Sequence, residues 1–206
     1  MQDMKDKILF IVGIGGSGKS SIVEELCAMN PTQYKRIIMA TTRPKRNYEC
    51  DIHTLSALDY QFLSDEQFKE LEKRDKFIHV QEVKLLDKTT YYGFPYITLD
   101  KLEYMHVVSG PYDTYKAVKE VYGKDVISVY VKNSYATSLD RMLKRVDPLT
   151  DEVVLEACRR LVDDYQCYHN VDEKEFDIVI DTDITPFQEE LRLIHDSIND
   201  ESMVFL

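Results

Sequence analysis

No apolar run in this 206-residue chain approaches the roughly 20 residues that a membrane-spanning helix needs. The opening stretch Met1 to Lys7 is polar, so neither an anchor nor a secretory leader is expected. The four cysteines, Cys27, Cys50, Cys158 and Cys167, contain no CxxC pair. That excludes the common zinc spacings and leaves reduced, mostly buried thiols as the expectation, which suits a cytoplasmic protein. Histidine is scattered, at His53, His79, His106, His169 and His195, so a metal held by protein ligands alone is not expected. Positive charge is in deficit: 26 lysines and arginines face 37 acidic residues, a net charge of −11. A duplex nucleic acid would find no broad basic surface, whereas a nucleotide needs only a local basic pocket. The acidic residues gather at 163–164, 172–175, 181–183 and 196–201 and are expected on solvated surface. Repeats and low-complexity segments are also absent, and 44% apolar content is enough for one sizeable core.

Against those absences stands one strong motif. Gly13-Ile14-Gly15-Gly16-Ser17-Gly18-Lys19-Ser20 follows directly on the apolar run Ile8 to Val12, which matches the phosphate-binding loop G-x-x-x-x-G-K-S between a strand and a helix. Glycines allow successive backbone N–H groups to curl around a phosphate chain. Lys19 supplies a point charge to the β- and γ-phosphates, and the Ser20 hydroxyl is placed to ligand Mg²⁺. A helix over 19–29, beginning Lys19-Ser20-Ser21, aims its positive N-terminus at the same anion. The expected ligand is ATP with Mg²⁺.

Apolar runs at 7–12, 36–40, 104–109, 126–131 and 177–181 alternate with helical periodicity at 19–29, 112–122, 135–145, 150–171 and 185–199. This is the pattern of a parallel α/β sheet with helices on both faces. Residues 41–102 break the alternation. They hold extended segments at 59–63, 77–83 and 89–92 and a helix at 64–74 opened by the capping box Ser64-x-x-Gln67. A partly antiparallel insertion is expected there. A short hinge near 146–152, with Lys144, Arg145, Arg159 and Arg160 around it, has the character of a lid over phosphates.

A second anion site is expected where Thr41-Thr42-Arg43-Pro44-Lys45-Arg46 follows a strand, because Arg43 and Arg46 can make planar two-donor contacts to phosphate. Tyr60 and Tyr92 add phenolic donors, and Gly93 would allow a ligand to approach closely. The order of phosphate loop, TTRPKR, DYQF, the strand at Phe77-Ile78, YYG and a later strand ending at Gly110 resembles that of guanylate kinases over nearly the whole chain. The resemblance implies a P-loop nucleoside-monophosphate kinase fold: one domain over 1–206, with a core of 1–40 and 104–199, an acceptor-binding insertion at 41–102 and a lid at 146–152. It implies transfer of the ATP γ-phosphate to a nucleoside or deoxynucleoside monophosphate, with Mg²⁺, by a monomer or homodimer. Arg43, Arg46, Tyr60 and Tyr92 would hold the acceptor phosphate. Arg141 and Arg145, with Arg159 or Arg160, would supply lid charge.

The departures from that family lie in base recognition. By the resemblance, Met39, His79, Phe94 and Val107 stand where small hydroxyl and acidic residues read guanine, Met105 replaces a further acid, and Glu82 or Gln81 could substitute. Guanine would lose its charged acceptors, so a pyrimidine or modified base is the better expectation. Two alternatives follow from relatives of the family: a sugar-phosphate kinase acting on a ribose bisphosphate, and a non-catalytic module that binds phosphorylated peptides.

Overall fold

A computed structural model describes residues 7–45, 60–85, 88–99 and 103–199. Its centre is strand β1 (Ile8–Val12), buried at every position. The β-branched and aromatic composition of that run fits a strand covered on both faces. Helix α1 (Lys19–Met29) follows, then β2 (Tyr34–Arg36), β3 (Met39–Thr41), β4 (Tyr60–Phe62), α2 (Asp65–Lys73), β5 (Phe77–Leu85) and β6 (Lys88–Pro95). The chain continues through β7 (Met105–Gly110), α3 (Tyr112–Tyr122), β8 (Val126–Lys132), α4 (Tyr135–Lys144), α5 (Asp151–Tyr168), β9 (Ile178–Asp181) and α6 (Phe187–Asn199).

The core sheet has the order β2-β7-β1-β8-β9 with every pairing parallel. Alternation along β1 divides two cores. Leu9 and Ile11 pack with α1 and α6 through Ile22, Val23, Leu26, Leu191 and Ile194. Ile8, Phe10 and Val12 face the other way, toward Tyr115 and Val118 of α3 and Tyr168 of α5. Each fully buried Leu, Ile or Phe contributes about 1.5–3 kcal/mol relative to exposure. Helices therefore cover both faces, and the loop after β1 emerges at the carboxyl ends of the parallel strands, where open α/β sheets bind ligands.

The expected strand at 36–40 is in fact two strands in two sheets. β2 ends at Arg36, Ile37 still donates its N–H to the Val107 carbonyl at 2.9 Å, and β3 then joins a separate sheet of order β4-β3-β6-β5. Ile37, Met39 and Ala40 are all buried, so the apolar run continues across the point where the pairing partner changes. In this second sheet β3 runs parallel to β4 and antiparallel to β6, which pairs antiparallel with β5. One face packs Ala40, Phe77 and Val80 against Phe68 of α2, and Phe68 stacks on Phe77 at 4.8 Å between ring centroids. The capping box of α2 is closed: Gln67 N–H donates to Ser64 Oγ at 3.2 Å and Ser64 N–H to Gln67 Oε1 at 2.9 Å. The opposite face carries Met39 and Phe94 into the Phe10 core.

Between α4 and α5 the chain is exposed over residues 145–150. The connection is shorter than the expected 146–152 lid, because Thr150 caps α5 by accepting Val153 N–H and residues 151 and 152 form its first turn. Cys158 and Cys167 are exposed on α5 and Cys27 is half-buried, which corrects the expectation of mostly buried thiols. Only Ala157 and Tyr168 of the 18 residues of that helix are buried, and both cysteines fall at its exposed positions. No helix among the described residues is long and apolar enough to cross a membrane.

Candidate active site

The phosphate loop is shaped by contacts that only glycine permits. At Gly13 an added Cβ would lie 2.2 Å from the Val131 carbonyl oxygen of β8. Gly16 has φ of +79° and would meet the Ser138 carbonyl at 2.7 Å. Tyr168 reaches back from α5 to donate its hydroxyl to the Gly13 carbonyl at 3.0 Å, and burial pushes that phenol far above its ordinary pKa, so it remains a donor. Gly18 takes a left-handed conformation, and no side chain caps α1. Its first turn contains no acid, so the positive end of α1 is left for an incoming anion.

Lys19 is half-buried and curls over the loop, donating to the Ile14 carbonyl at 2.6 Å and to Ser17 Oγ at 3.5 Å. Desolvation of its ammonium lowers the pKa to about 8; the Asp164 carboxylate opposes that shift and Arg145 adds to it. Ser20 and Ser21 are exposed in the first turn of α1. A hydroxyl oxygen there, beside a phosphate site, fits a magnesium ion that takes one protein ligand and completes its shell with phosphate and water.

Asp164 is the residue that sequence reasoning missed. The Gly15 N–H donates to its Oδ2 at 2.6 Å. Burial raises the carboxyl pKa, against the pull of the Gly15 N–H, Lys19 and Arg160. In the sequence Asp163-Asp164 looked like part of a solvated acidic cluster, and only the packing of α5 against the loop distinguishes the second from the first.

The arginines assigned to a lid divide into two groups. Arg141 lies on the loop itself, within 3.3 Å of the Ser17 carbonyl, 3.4 Å of the Gly16 carbonyl and 3.0 Å of Thr182 Oγ1. Arg145 is close enough to act on Lys19. Arg159 and Arg160, by contrast, share Glu156: Arg159 Nε bonds its Oε2 at 2.8 Å and Arg160 Nε its Oε1 at 2.7 Å, while Arg159 also pairs with Asp163. Glu156 holds its carboxyl below the usual range even though burial pulls the other way. Its spacing of three and four residues from the arginines was the available signal.

On the second sheet, strand register collects the acceptor side chains. Met39 pairs with Tyr60, Thr41 with Phe62 and with Tyr92, and Gln81 with Tyr92. Tyr60 meets Tyr92 edge-on at 5.7 Å, and the Arg43 guanidinium lies 5.4 Å from the Tyr60 ring and 5.3 Å from Phe62 while donating to the Pro44 carbonyl. Arg159 of α5 comes near enough to Tyr92 to interact electrostatically, so α5 approaches this cluster. Arg46 lies outside the described residues.

The residues expected around a base are only partly together. Met39 and Phe94 share one face, but they are 8% and 1% exposed, and Phe94 stacks on Phe10 at 5.9 Å. Val107 faces the other core, with Leu9 and Ile11; Val108 is the residue of β7 on the Phe94 side. The expectation for Val107 is therefore wrong by one position, as strand alternation requires. Glu82 is exposed, pairs with Lys84 at 3.0 Å and sits opposite Tyr91, on the α2 side of the sheet. Gln81 takes the Tyr92 side instead. His79 lies opposite Phe94 in the register, half-buried, with its pKa lowered by burial and raised by Asp113 of α3. Gly93 is filled from behind: an added Cβ would lie 2.8 Å from the Phe77 ring, so its lack of a side chain serves packing instead of ligand approach.

A family model described as guanylate kinase matches residues 5–200 of the chain. A guanylate kinase of Thermotoga maritima is 31% identical over 69% of this chain and 65% of its own length, so the match spans just under two thirds of that relative. One from Helicobacter hepaticus is 28% identical over 90% of this chain and 87% of its own. Among solved structures, the guanylate kinase of Anaplasma phagocytophilum has a TM-score of 0.60 at 16% identity, covering 96% of this chain and 87% of that one, a likeness of fold.

Proposed function

Since the chain belongs to the guanylate kinase family, we propose that it is a cytoplasmic ATP-dependent nucleoside-monophosphate kinase. One observation carries this reading: a lysine-bearing phosphate loop whose helix has no side-chain cap, and a separate Arg43–Tyr60–Tyr92 cluster that Arg159 of α5 approaches. Two anion sites, one at the carboxyl end of β1 in the core sheet and one on the second sheet, suit phosphate-to-phosphate transfer, in which the protein supplies positioning and charge more than covalent chemistry.

Loop N–H groups and Lys19 would hold the donor phosphates, and Arg141 and Arg145 would add charge beside them. Arg43, Tyr60 and Tyr92 would orient the acceptor oxygen for attack. Arg159 would leave Glu156 for the transferring group as the site closes and water is excluded. When Mg²⁺ is bound through Ser20, it neutralises phosphate charge.

Guanine reading by carboxylates has no support from the described residues Met39, His79, Phe94 and Val107. Among the described residues, the polar groups of β5 paired with Phe94 and Tyr92 are neutral His79 and Gln81, with Asp113 beyond, which favours an acceptor with few base donors, a pyrimidine or modified deoxynucleotide. A second reading, a sugar-phosphate acceptor such as a ribose bisphosphate, gains from the burial of Met39 and Phe94, which fill space a base would need. A peptide-binding module would have no use for the intact loop. A panel of purine and pyrimidine monophosphates and sugar phosphates, with ADP release as readout, tests the reading; absence of turnover with every member would sink it.

Two further outcomes are expected. Arg43→Ala should raise the acceptor KM about 100-fold, and Tyr92→Phe about tenfold, with donor KM little changed. Donor binding should also take up protons in mild alkali. Phosphates restore the depressed pKa of Lys19, so at pH 8 about half a proton is absorbed per site, falling toward zero below roughly pH 7 where Lys19 is already charged. Calorimetry in buffers of different ionisation enthalpy measures this, and Lys19→Met should abolish it.

A further inference from the structure

We propose that Asp164 is the resting occupant of the donor phosphate loop, and that a nucleotide binds by displacing its carboxylate from the Gly15 N–H. The contact is made across 149 residues of sequence, so it is a product of tertiary packing and not of local helix geometry. It has the features of an anionic ligand already seated: a loop N–H at 2.6 Å, the Lys19 and Arg160 charges acting on it, and partial burial. The same carboxylate oxygen stands 3.1 Å from where a Cβ at Gly15 would lie, so a side chain at position 15 would force it to shift.

A phosphoryl group entering the loop needs the Gly15 N–H and the Lys19 ammonium, and two anions cannot share them in a desolvated site. Displacement has somewhere to go, because Arg160 is one helical turn before Asp164 on α5 and already acts on its charge. In the empty protein Asp164 neutralises Lys19 and satisfies the loop. Its removal by ligand raises the threshold for entry, so a weakly charged anion such as orthophosphate competes poorly and a di- or triphosphate succeeds.

The inference rests on reading Gly13 to Ser20 as the donor loop, and calorimetric titration of the full chain with pyrophosphate and with ADP tests both. Asp164→Ala should bind each about tenfold more tightly than the unaltered protein. Asp164→Asn, whose amide oxygen can still accept from Gly15 but brings no charge, should fall between them and guards against a folding defect in the alanine variant. Equal or weaker binding by both variants would overturn the proposal and make Asp164 a fixed part of the loop. Failure of the unaltered protein and both variants to bind either ligand would overturn the donor reading, and this inference with it.

Discussion

Lys19→Met is expected to lower kcat about 1,000-fold on the best acceptor while moving the melting temperature by only a few degrees. The two effects separate because the ammonium is poorly placed in the empty protein and well placed once phosphates arrive. Its pKa falls from 10.5 to about 8, a net cost of about 3 kcal/mol, chiefly desolvation and already offset in part by Asp164, that methionine, of similar length and no charge, does not carry. Against that stands the lost hydrogen bond from the ammonium to the Ile14 carbonyl, at 2.6 Å, about 1.5–3 kcal/mol. Those terms nearly cancel in the empty protein. In the transition state the ammonium faces charge spread over the transferring group, and removing one preorganised donor from such a site costs on the order of 10²–10³ in rate. Steady-state kinetics with thermal unfolding checks both halves. Unchanged transfer to every acceptor would remove Lys19 from the mechanism, and a large fall in melting temperature would show that the loss of activity is a loss of fold.

The site was legible in the sequence wherever function depends on a contiguous motif. Gly13 to Ser20 carries its own geometry, since strand, glycines, lysine and helix follow one another without a break. Tyr60 and Tyr92 were readable as donors, but their meeting depends on β3 standing between β4 and β6, and strand order is not written in any local segment. Single-position errors came from strand parity. Val107 and Val108 are equally apolar, and both faces of β7 are buried, so hydrophobic pattern could not say which faces Phe94. Glu82 and Gln81 were likewise undecided until the pairing of β5 with β6 set Gln81 against Tyr92. Asp164 was invisible for a different reason: burial of one acid in an acidic cluster is a tertiary event, created by α5 crossing the loop. The break between β2 and β3 was hidden by continuous apolarity, because each sheet buries its share of the same run.

Phe94→Thr, a change toward the hydroxyl residue that guanylate kinases resembling this chain would have there, is expected to destabilise the protein by about 4 kcal/mol and to gain no activity on GMP. If Phe94 lined an open base pocket, the substitution would cost little and add a hydrogen-bonding group. It is instead 1% exposed, stacked on Phe10 at 5.9 Å and joined to Met39, Val108 and Tyr115 in the core between the two sheets. Truncating a buried Phe costs about 3–5 kcal/mol, and a buried hydroxyl without a partner adds about 1–3, less what the extra atoms of threonine recover over alanine. For a chain of this length the melting temperature should fall by roughly 8–16 °C. His79→Glu is the informative contrast, because His79 is only half-buried and faces Asp113. A second carboxylate there should cost less in stability while repelling Asp113. A stable Phe94→Thr protein that phosphorylates GMP would mean that the core at Phe94 opens on acceptor binding. Loss of stability without gain of GMP turnover would mean that Phe94 serves packing at the sheet junction and is not a wall of the acceptor site.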